Sequence, residues 1–284
     1  MTTPFDGVIE QVKRRGFHNQ RLEDHSDIVS EEILSDLKRQ CAPFRADFSG
    51  GQIAAWKNVR TLGARNRKID LLAGEPGAGG AADLDKSRFC VENKSVITAH
   101  RNLYARFDDL NEALQVLHRV RAEAVLVATV IVGVAEKVLN VPDKIKPLYK
   151  KKQTEFESKI LPRLSSGDQK LWEDFEWAVS VNRPNDPAKT VSKFRQLRTR
   201  PPGHTHIIGY DYVLLVPIFI DNVNEPYIPK PTDSRSVGID VEQEYQMTLE
   251  TVCKAYAPAG IYRTLHRRGT DFDEARICSA VSGG

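Results

Sequence analysis

RFCVENKSVI, residues 88–97, is the stretch of this chain that decides how it folds. Alternate residues of an extended strand share one face of a sheet. Glu92 and Lys94 therefore point to one face, and Val91 and Asn93 point to the other. The function predicted below depends on why a carboxylate and an ammonium group share one face of an otherwise apolar strand.

A second strand, IDLL at 69–72, precedes this one, and the Gly-, Ala- and Asp-rich stretch at 75–87 reads as a loop between them. The sequence therefore predicts a long-looped hairpin over residues 69–97. Such a hairpin brings Asp70 beside Glu92. Two carboxylates that close repel each other, and one pKa rises, unless a cation lies between them. Mg²⁺ binds one or two protein carboxylates and keeps several waters, so the pair is a candidate magnesium site.

Lys94 shares the predicted face with Glu92. A free lysine has a pKa of about 10.4, so Lys94 is a poor base unless that pKa is strongly shifted. It is better suited to orienting an attacking water or to stabilising charge on a phosphate. A metal ion beside it would polarise a phosphoryl oxygen and lower the pKa of a bound water. An isolated E-x-K is common on surface strands, where it forms a solvated pair. The pattern becomes informative here because Asp70 lies on the apolar strand upstream.

The segments around the hairpin predict a mixed α/β fold. A helix is predicted over 24–40, and a second helical stripe follows the hairpin. The apolar run at 124–135 is typical of a strand buried on both faces. The order strand, strand, helix, buried strand predicts a mixed central β-sheet flanked by helices. The segments 44–51 and 52–60 are predicted to be extended around a Ser-Gly-Gly turn.

The chain is predicted to form a single domain over residues 1–284. Its core is predicted at about 25–135 and 207–260, and a basic, mostly helical insertion at about 136–206. Within the second core segment, a strand is followed by a helix for which Pro258 and Gly260 are the predicted stop signals.

Composition and charge are those of an ordinary globular protein. Of 284 residues, 40% are hydrophobic and 28% charged, and the net charge is only +3, which does not identify a nucleic-acid binder. The N-terminus lacks an apolar signal-peptide core and the longest apolar run is too short to span a bilayer, so we expect no membrane association. The four cysteines are scattered, which predicts neither structural zinc nor a disulfide framework. We therefore expect a reduced, cytoplasmic protein.

Asp70 in KIDLL, followed by the E-N-K of residues 92–94, resembles the pattern of the PD-(D/E)XK nuclease superfamily, the fold of many restriction endonucleases. The resemblance covers about residues 25–135 and includes the helix and the buried strand after the motif. It departs from the family pattern at Ile69, which stands where the family has a proline, although that proline is often missing in members. The stretch VENKSVITAHRNLYARFDDLN is also similar to uncharacterised proteins described as restriction endonucleases.

The resemblance implies a restriction-endonuclease-like core that hydrolyses DNA phosphodiester bonds with Mg²⁺, for which Mn²⁺ is expected to substitute. Asp70 and Glu92 would hold the metal, and Lys94 would complete the catalytic set. The leading role is a type II-like restriction endonuclease that recognises a short sequence in double-stranded DNA. We expect a homodimer, because a two-fold protein matches a two-fold symmetric site, and a cognate DNA methyltransferase in the same system.

Two alternatives stay open beside the restriction endonuclease. One is a related nuclease of DNA repair, recombination or mobile-element defence, which would need ends, branches or single strands. The other is a non-catalytic DNA-binding module with the same fold, which would bind DNA tightly without cleaving it.

The segment HRNLYARF directly follows the predicted catalytic strand. His100, Arg101 and Arg106 are candidate phosphate contacts in DNA binding. The alternative is the start of a helix whose arginines face water. The basic runs at 144–159 and 193–206 are further candidates for binding or reading DNA, although such runs are more often solvated faces.

Three further patterns carry less weight. Glu31 or Glu32 of the first predicted helix could join the site, since some family members use a further glutamate, but a solvated helix face is more common. GEPGAGG at 74–80 lacks the Gly-Lys-Ser/Thr ending of a phosphate-binding loop and is excluded. His204 and His206 alternate without an evident third metal ligand, so a polar strand edge is the better interpretation.

Overall fold

The computed structural model describes residues 3–15, 24–61, 68–97, 100–140 and 156–267. Within these residues the α-helices, numbered along the chain, are α1 (Pro4–Arg15), α2 (Asp24–Gln40), α3 (Ala42–Ser49), α4 (Leu103–Val120), α5 (Leu161–Ser165), α6 (Gln169–Asp174), α7 (Asp186–Phe194) and α8 (Val241–Arg267). The strands are β1 (Ala54–Arg60), β2 (Lys68–Gly74), β3 (Ser87–Val96), β4 (Val125–Gly133), β5 (Lys137–Leu139), β6 (Val179–Val181) and β7 (Tyr212–Ile218). Short 3₁₀ turns lie at Ala78–Gly80, Leu84–Lys86, His100–Asn102, Glu176–Ala178 and Ser234–Ser236, and a π-helical turn at Phe156–Ile160.

The main sheet has five strands in the order β1-β2-β3-β4-β7. β1 pairs with β2, and β2 with β3, in antiparallel ladders, whereas β3, β4 and β7 are parallel. β5 and β6 form a separate two-stranded sheet. The predicted class, a mixed α/β fold with a central mixed sheet flanked by helices, is therefore confirmed. No helix in the part of the chain that the structure describes is long and apolar enough to cross a membrane.

The first predicted helix and the long-looped hairpin are both present. The predicted helix over 24–40 is α2, and Ile33 from its apolar stripe is fully buried. The hairpin joins β2 to β3 in an antiparallel ladder in which Leu71 lies opposite Val91. Period-two alternation in the strands and helical periodicity in α2 therefore indicated the correct elements.

Helices cover both faces of the main sheet. α2, α3 and α8 lie on the face occupied by Phe89: the ring of Phe44 in α3 lies 5.9 Å from that of Phe89 and 5.1 Å from that of Tyr256 in α8. α4 and α7 lie on the other face, where the rings of Phe107 and Phe194 come within 6.1 Å. Edge-to-face and tilted ring pairs of this kind add about 0.5–1.5 kcal/mol each beyond burial of their area.

The prediction that residues 44–51 are extended is wrong, because most of them belong to α3. Pro43 stands in the first turn of this helix, where proline is favoured. Phe44 and Phe48 lie one turn apart and stack with ring centroids at 6.2 Å. The predicted stop at Pro258 and Gly260 is also wrong, since α8 continues beyond both.

The expectation of a fully reduced protein is wrong, because one disulfide is present. Cys41 precedes α3 and Cys253 lies in α8, and the two form a disulfide with Cα atoms 5.4 Å apart across a sequence separation of 212. Spacing along the chain could not reveal this pair, because the two helices meet only in the folded protein. Cys90 is a buried free thiol, and Cys278 lies outside the described residues. The cysteine argument for a reduced compartment therefore fails, and a cytoplasmic location stays a prediction.

The predicted insertion at 136–206 is only partly separate from the main core. Its first part packs around a small apolar cluster that includes Leu139, Leu164 and Leu171. α7 lies within the predicted bounds, yet it buries Val191 in the main core. The separate part therefore ends before α7, and most of its lysine run lies outside the described residues.

A buried ion pair joins the beginnings of β4 and β7. The Arg200 guanidinium donates to Asp211 at 2.9 Å and to the carbonyl oxygens of Ala122 and Ala124 at 2.7 and 2.6 Å. Both charged side chains are 1% exposed. Arg200 belongs to the second predicted basic run, and its burial makes it a structural residue rather than a DNA contact.

His118 gives a test of the packing of α4 beside this ion pair. Burial, together with nearby Arg200, lowers the pKa of His118 to about 4. The unfolded chain, with an imidazole pKa of about 6.5, then takes up a proton at a higher pH than the folded protein does. We expect the free energy of unfolding to fall by at most about 3 kcal/mol as the pH drops from about 6.5 to about 4.

Urea unfolding at a series of pH values measures this loss, and His118→Leu should remove it. His206→Gln, which deletes an exposed imidazole, should retain it. An equal pH dependence in the His118→Leu protein would contradict the assignment.

Candidate active site

The β2–β3 hairpin brings the three predicted catalytic residues together. Leu71 lies opposite Val91 in the ladder, and the same register places Asp70 opposite Glu92. Lys94 Nζ lies 2.8 Å from Glu92 Oε2 and 4.0 Å from Asp70 Oδ2. One ammonium group therefore interacts with both carboxylates on the same face of the sheet.

The three side chains differ in exposure. The side chain of Glu92 is 3% exposed, against 16% for Asp70 and 17% for Lys94. Taking a charged carboxylate out of water costs several kcal/mol unless it is paired. Lys94 supplies the opposite charge, and its ammonium also donates to the carbonyl oxygen of Asn93 at 3.2 Å. The Glu92 end of the site is thus buried, whereas Asp70 and Lys94 are more accessible to solvent.

Asn93 points to the opposite face of β3 and anchors the strand. Its Nδ2 donates to the hydroxyl oxygens of Ser26 and Ser30, both at 2.9 Å, and its Oδ1 accepts from the Thr129 hydroxyl. The backbone N–H of Asn93 donates to Asp70 Oδ2 at 2.7 Å. The sequence predicted the face on which Asn93 lies but not this role. The one feature of the sequence that could have indicated this role is the position of the Asn93 amide between Glu92 and Lys94.

The carboxylates of this site suit a magnesium ion. Asp70 and Glu92 both lie within reach of one positive group, Lys94 Nζ, so the geometry favours positive charge between them. Mg²⁺ needs only one or two protein carboxylates, because it keeps several of its waters. In the described part of the chain no group of three or more His, Cys, Asp or Glu side chains could hold a metal. A magnesium ion there could take Asp70 and Glu92 as carboxylate ligands and keep its waters.

The chain leaves β3 across the end of β4. Gly133 permits this crossing, because a Cβ there would lie 2.3 Å from the carbonyl oxygen of Ile97. His100 then lies buried, with Nδ1 2.5 Å from Thr190 Oγ1 and Nε2 3.1 Å from the Gly133 carbonyl oxygen. Burial lowers the pKa of His100. We assign His100 a structural role and withdraw it from the candidate DNA contacts, because both ring nitrogens are engaged inside the protein.

The other residues of this segment have different surroundings. Arg106 is exposed on α4, with Nη1 3.2 Å from Asp109 Oδ2. The side chain of Arg101 lies outside the described residues. Tyr104 is 66% exposed, which is high for an aromatic side chain. Arg106 and Tyr104 are therefore accessible to a large ligand.

The glutamates of α2 lie apart from the candidate site. Glu31 bonds to the ammonium group of Lys57 in β1. Glu32 is exposed. α2 packs on the face that carries Asn93, opposite the face of Glu92. These observations support the solvated helix face over a further catalytic glutamate.

The remaining sequence candidates lie at the surface. His204 and His206 occupy an irregular exposed segment rather than a strand edge, with ring centroids 5.6 Å apart. No third metal ligand joins them among the described residues. Of the lysines in the 144–159 run, Lys159 is described, and it is exposed.

Comparison with known proteins adds no relative. No protein-family model, curated protein or solved structure matches this chain. The case for a function therefore depends on the hairpin itself.

Asn93→Ala tests whether the back face of β3 holds the site. The variant loses the four side-chain hydrogen bonds of Asn93, including one to the carbonyl oxygen of Ser26, each with a net worth of about 0.5–1.5 kcal/mol, and it leaves polar partners in α2 and β4 unpaired. We expect the free energy of unfolding, measured in urea, to fall by about 2–4 kcal/mol. Ser95→Ala, two residues further along the same strand and exposed, should change it by less than about 0.5 kcal/mol. Equal stability of the two variants would contradict the anchoring role.

Proposed function

We propose that this protein is a Mg²⁺-dependent endodeoxyribonuclease of the PD-(D/E)XK type. One observation carries the proposal: Lys94 Nζ lies within 4.0 Å of carboxylate oxygens from both Asp70 and Glu92, which come from paired strands. A solvated surface pair explains an E-x-K on one strand. It does not explain a buried glutamate whose charge is matched by a lysine that also reaches an acid on the neighbouring strand.

The order of elements around the site supports the proposal. α2 and α3 are followed by three consecutive antiparallel strands, then by α4 and the parallel strand β4. The candidate residues lie on the second and third strands of this unit. This is consistent with a restriction-endonuclease-like core, in which the E-x-K strand is followed by a helix and a buried strand.

Each residue then has a distinct role. Asp70 and Glu92 would hold Mg²⁺. A magnesium ion bound there supplies Lewis-acid stabilisation of phosphoryl charge and a more acidic bound water. Lys94 orients the attacking water by hydrogen bonding and stabilises negative charge on the phosphate, since its ammonium group has no lone pair to act as a base. The buried Glu92 side chain keeps Lys94 in place.

The substrate we propose is double-stranded DNA, cleaved at a short recognised sequence as by a type II restriction endonuclease. A homodimer would place one active site on each strand, and a cognate DNA methyltransferase would protect the host DNA. Arg106 and Tyr104, both exposed near the start of α4, are suited to contacts with the DNA backbone. A nuclease of repair, recombination or mobile-element defence and a non-catalytic DNA-binding module remain the alternatives.

Cleavage of unmethylated phage and plasmid DNA by the purified protein tests the proposal. We expect discrete fragments with Mg²⁺ and none with EDTA. Lys94→Ala and Asp70→Asn should each lower the cleavage rate by at least about 10²–10³-fold, the usual cost of removing one group that stabilises charge in a transition state. Agarose gels with time courses measure the rates.

Asp85→Asn and Lys170→Ala are matched controls, because both residues are exposed and lie outside the site. They should cleave at the rate of the unaltered protein. A Mg²⁺-dependent smear that Lys94→Ala abolishes would keep the catalytic site and favour a repair or defence nuclease. DNA binding without any cleavage would overturn the catalytic proposal and favour the binding module.

A further inference from the structure

A groove with a volume of about 450 Å³ lies between the start of α4 and α7. Tyr104 of α4 borders one side of it, and Lys189 and Lys193 of α7 border the other. The segment before α7 adds Arg183. We call this feature the α4–α7 groove. None of the residues proposed for catalysis lines it.

The α4–α7 groove lies on the side of the sheet that carries the candidate active site. Asn93 points towards α2, so its neighbours Glu92 and Lys94 point to the opposite face, on which α4 and α7 pack. Burial and the nearby charge of Glu92 raise the pKa of Tyr210, and the Tyr210 hydroxyl donates to the carbonyl oxygen of Leu110 in α4 at 2.8 Å. A ligand in the groove therefore shares one side of the sheet with the Glu92 carboxylate.

Buried contacts fix the two walls of the groove. The rings of Phe107 and Phe194 lie 6.1 Å apart and pack α4 against α7. His100, which follows β3, has Nδ1 2.5 Å from Thr190 Oγ1 and so joins α7 to the end of the active-site strand. Thr190 is fully buried and directly follows Lys189. The backbone that carries the exposed cations of α7 is therefore held in place by the core.

The charges in the groove are mainly positive. Of the described residues that line it, Arg183, Lys189 and Lys193 are cations and Asp186 is the acid. None of the three cations has an ion-pair partner among the residues that the structure describes, and Asp186 Oδ2 already accepts the backbone N–H of Arg183 at 2.8 Å. The buried His100 adds no charge near neutral pH, because burial lowers its pKa. The groove therefore suits a polyanion.

The side chains of the groove suit phosphates and sugars better than base edges. Lysine binds phosphate as a point charge, and Lys189 and Lys193, one helical turn apart with Cβ atoms about 5–6 Å from each other, can both reach one strand. Gln196 is already engaged, since its Oε1 lies 3.3 Å from Lys193 Nζ. Tyr104 stays 66% exposed, although Lys193 Nζ lies 5.6 Å from its ring centroid. Its ring is thus accessible to a sugar beside the phosphates.

We propose that the α4–α7 groove binds the sugar–phosphate backbone of one strand of double-stranded DNA. Arg183, Lys189 and Lys193 bind its phosphates, and Tyr104 packs against a deoxyribose. Phosphate contacts position a duplex without reading its sequence, so the groove sets where DNA lies relative to the candidate active site. The choice of duplex DNA over an acidic peptide rests on the proposed function, whereas binding in the groove does not require cleavage.

Fluorescence anisotropy of a labelled duplex, titrated with the full chain in EDTA, measures binding without cleavage. Three phosphate contacts release counterions, so we expect log Kd to rise with log salt concentration with a slope of at least about 2.7, which is about 0.9 for each contact. A slope near zero would overturn the proposed groove without the use of any variant.

Arg183→Ala combined with Lys189→Ala removes two exposed cations from the groove. We expect duplex binding to weaken about tenfold and the salt slope to fall by about 1.8. Duplexes of unrelated sequence should be affected alike. Lys170→Ala combined with Lys230→Ala is the matched control, since both lysines are exposed, lie outside the groove and remove the same net charge. Equal affinities and equal slopes of the two double variants would overturn the proposal.

Tyr104→Ala tests the other wall of the groove. It should weaken duplex binding and leave the salt slope unchanged, because it removes packing and no charge. Unaltered affinity in this variant would overturn the proposed contact with a sugar.

Two other anionic ligands distinguish the possible occupants of the groove. A single-stranded oligonucleotide of the same length and poly-glutamate are titrated with the same variants. If the Arg183→Ala and Lys189→Ala double variant binds either of these more weakly and binds the duplex unchanged, that ligand occupies the groove and the duplex assignment is overturned.

Cleavage assays with Mg²⁺ separate the groove from the proposed catalytic activity. Duplex binding that depends on the groove cations, in a protein that does not cleave, would contradict the nuclease and retain the groove. Cleavage by a protein whose duplex binding is the same in both double variants would retain the nuclease and overturn the groove.

Discussion

The hydrogen bonding of Asn93 is the constraint on which the rest of this structure depends. Its side chain connects β3 to Ser26 and Ser30 of α2 and to Thr129 of β4, and its backbone N–H donates to Asp70. A slip of one residue would move every side chain of the strand to the other face of the sheet. The amide would then face the wrong layer, and its partners in α2 and β4 would lose their bonds. The register of the hairpin, and with it the meeting of the charged groups, therefore follows from polar contacts on the face away from the site.

On the other face of β3, which carries Glu92 and Lys94, a buried charge opposes folding and must be compensated. Glu92 is almost fully buried, and burial of a carboxylate is unfavourable without a nearby cation. Lys94 offsets that cost and at the same time reaches Asp70. The same requirement for positive charge makes the place attractive to a divalent metal ion and to the chemistry proposed for it. The need of the Glu92 carboxylate for nearby positive charge thus links the stability of the fold to the proposed function. Apolar packing on the rest of the sheet strengthens this need, because it excludes water.

The hairpin, α2, α4 and the central strand β4 could be predicted from the sequence because periodicity and turn residues report local structure directly. The meeting of Asp70, Glu92 and Lys94 could be predicted for the same reason, since a hairpin needs only its register. α3 was missed because its short apolar pattern suits a strand as well as a helix, and tertiary packing of Phe44 decides between them. The disulfide of Cys41, the burial of Arg200 and the structural role of His100 depend on partners far away in sequence. Such contacts leave no periodic pattern to read.

One face of β3 anchors the strand and the other carries the candidate site, so substitutions on the two faces have different consequences in evolution. Replacing Asp70 alters a group at the accessible end of the candidate site, and the fold can survive this change. Replacing Lys94 also removes the cation that offsets the burial of Glu92. Replacing Asn93 removes bonds to α2 and to the neighbouring strand β4, and it therefore lowers the stability of the fold. Lineages that lose the chemistry are therefore expected to keep the amide and lose a charged neighbour. If the protein is the proposed nuclease, a binding protein without cleavage lies one substitution away from it, whereas a chain without the amide is less stable.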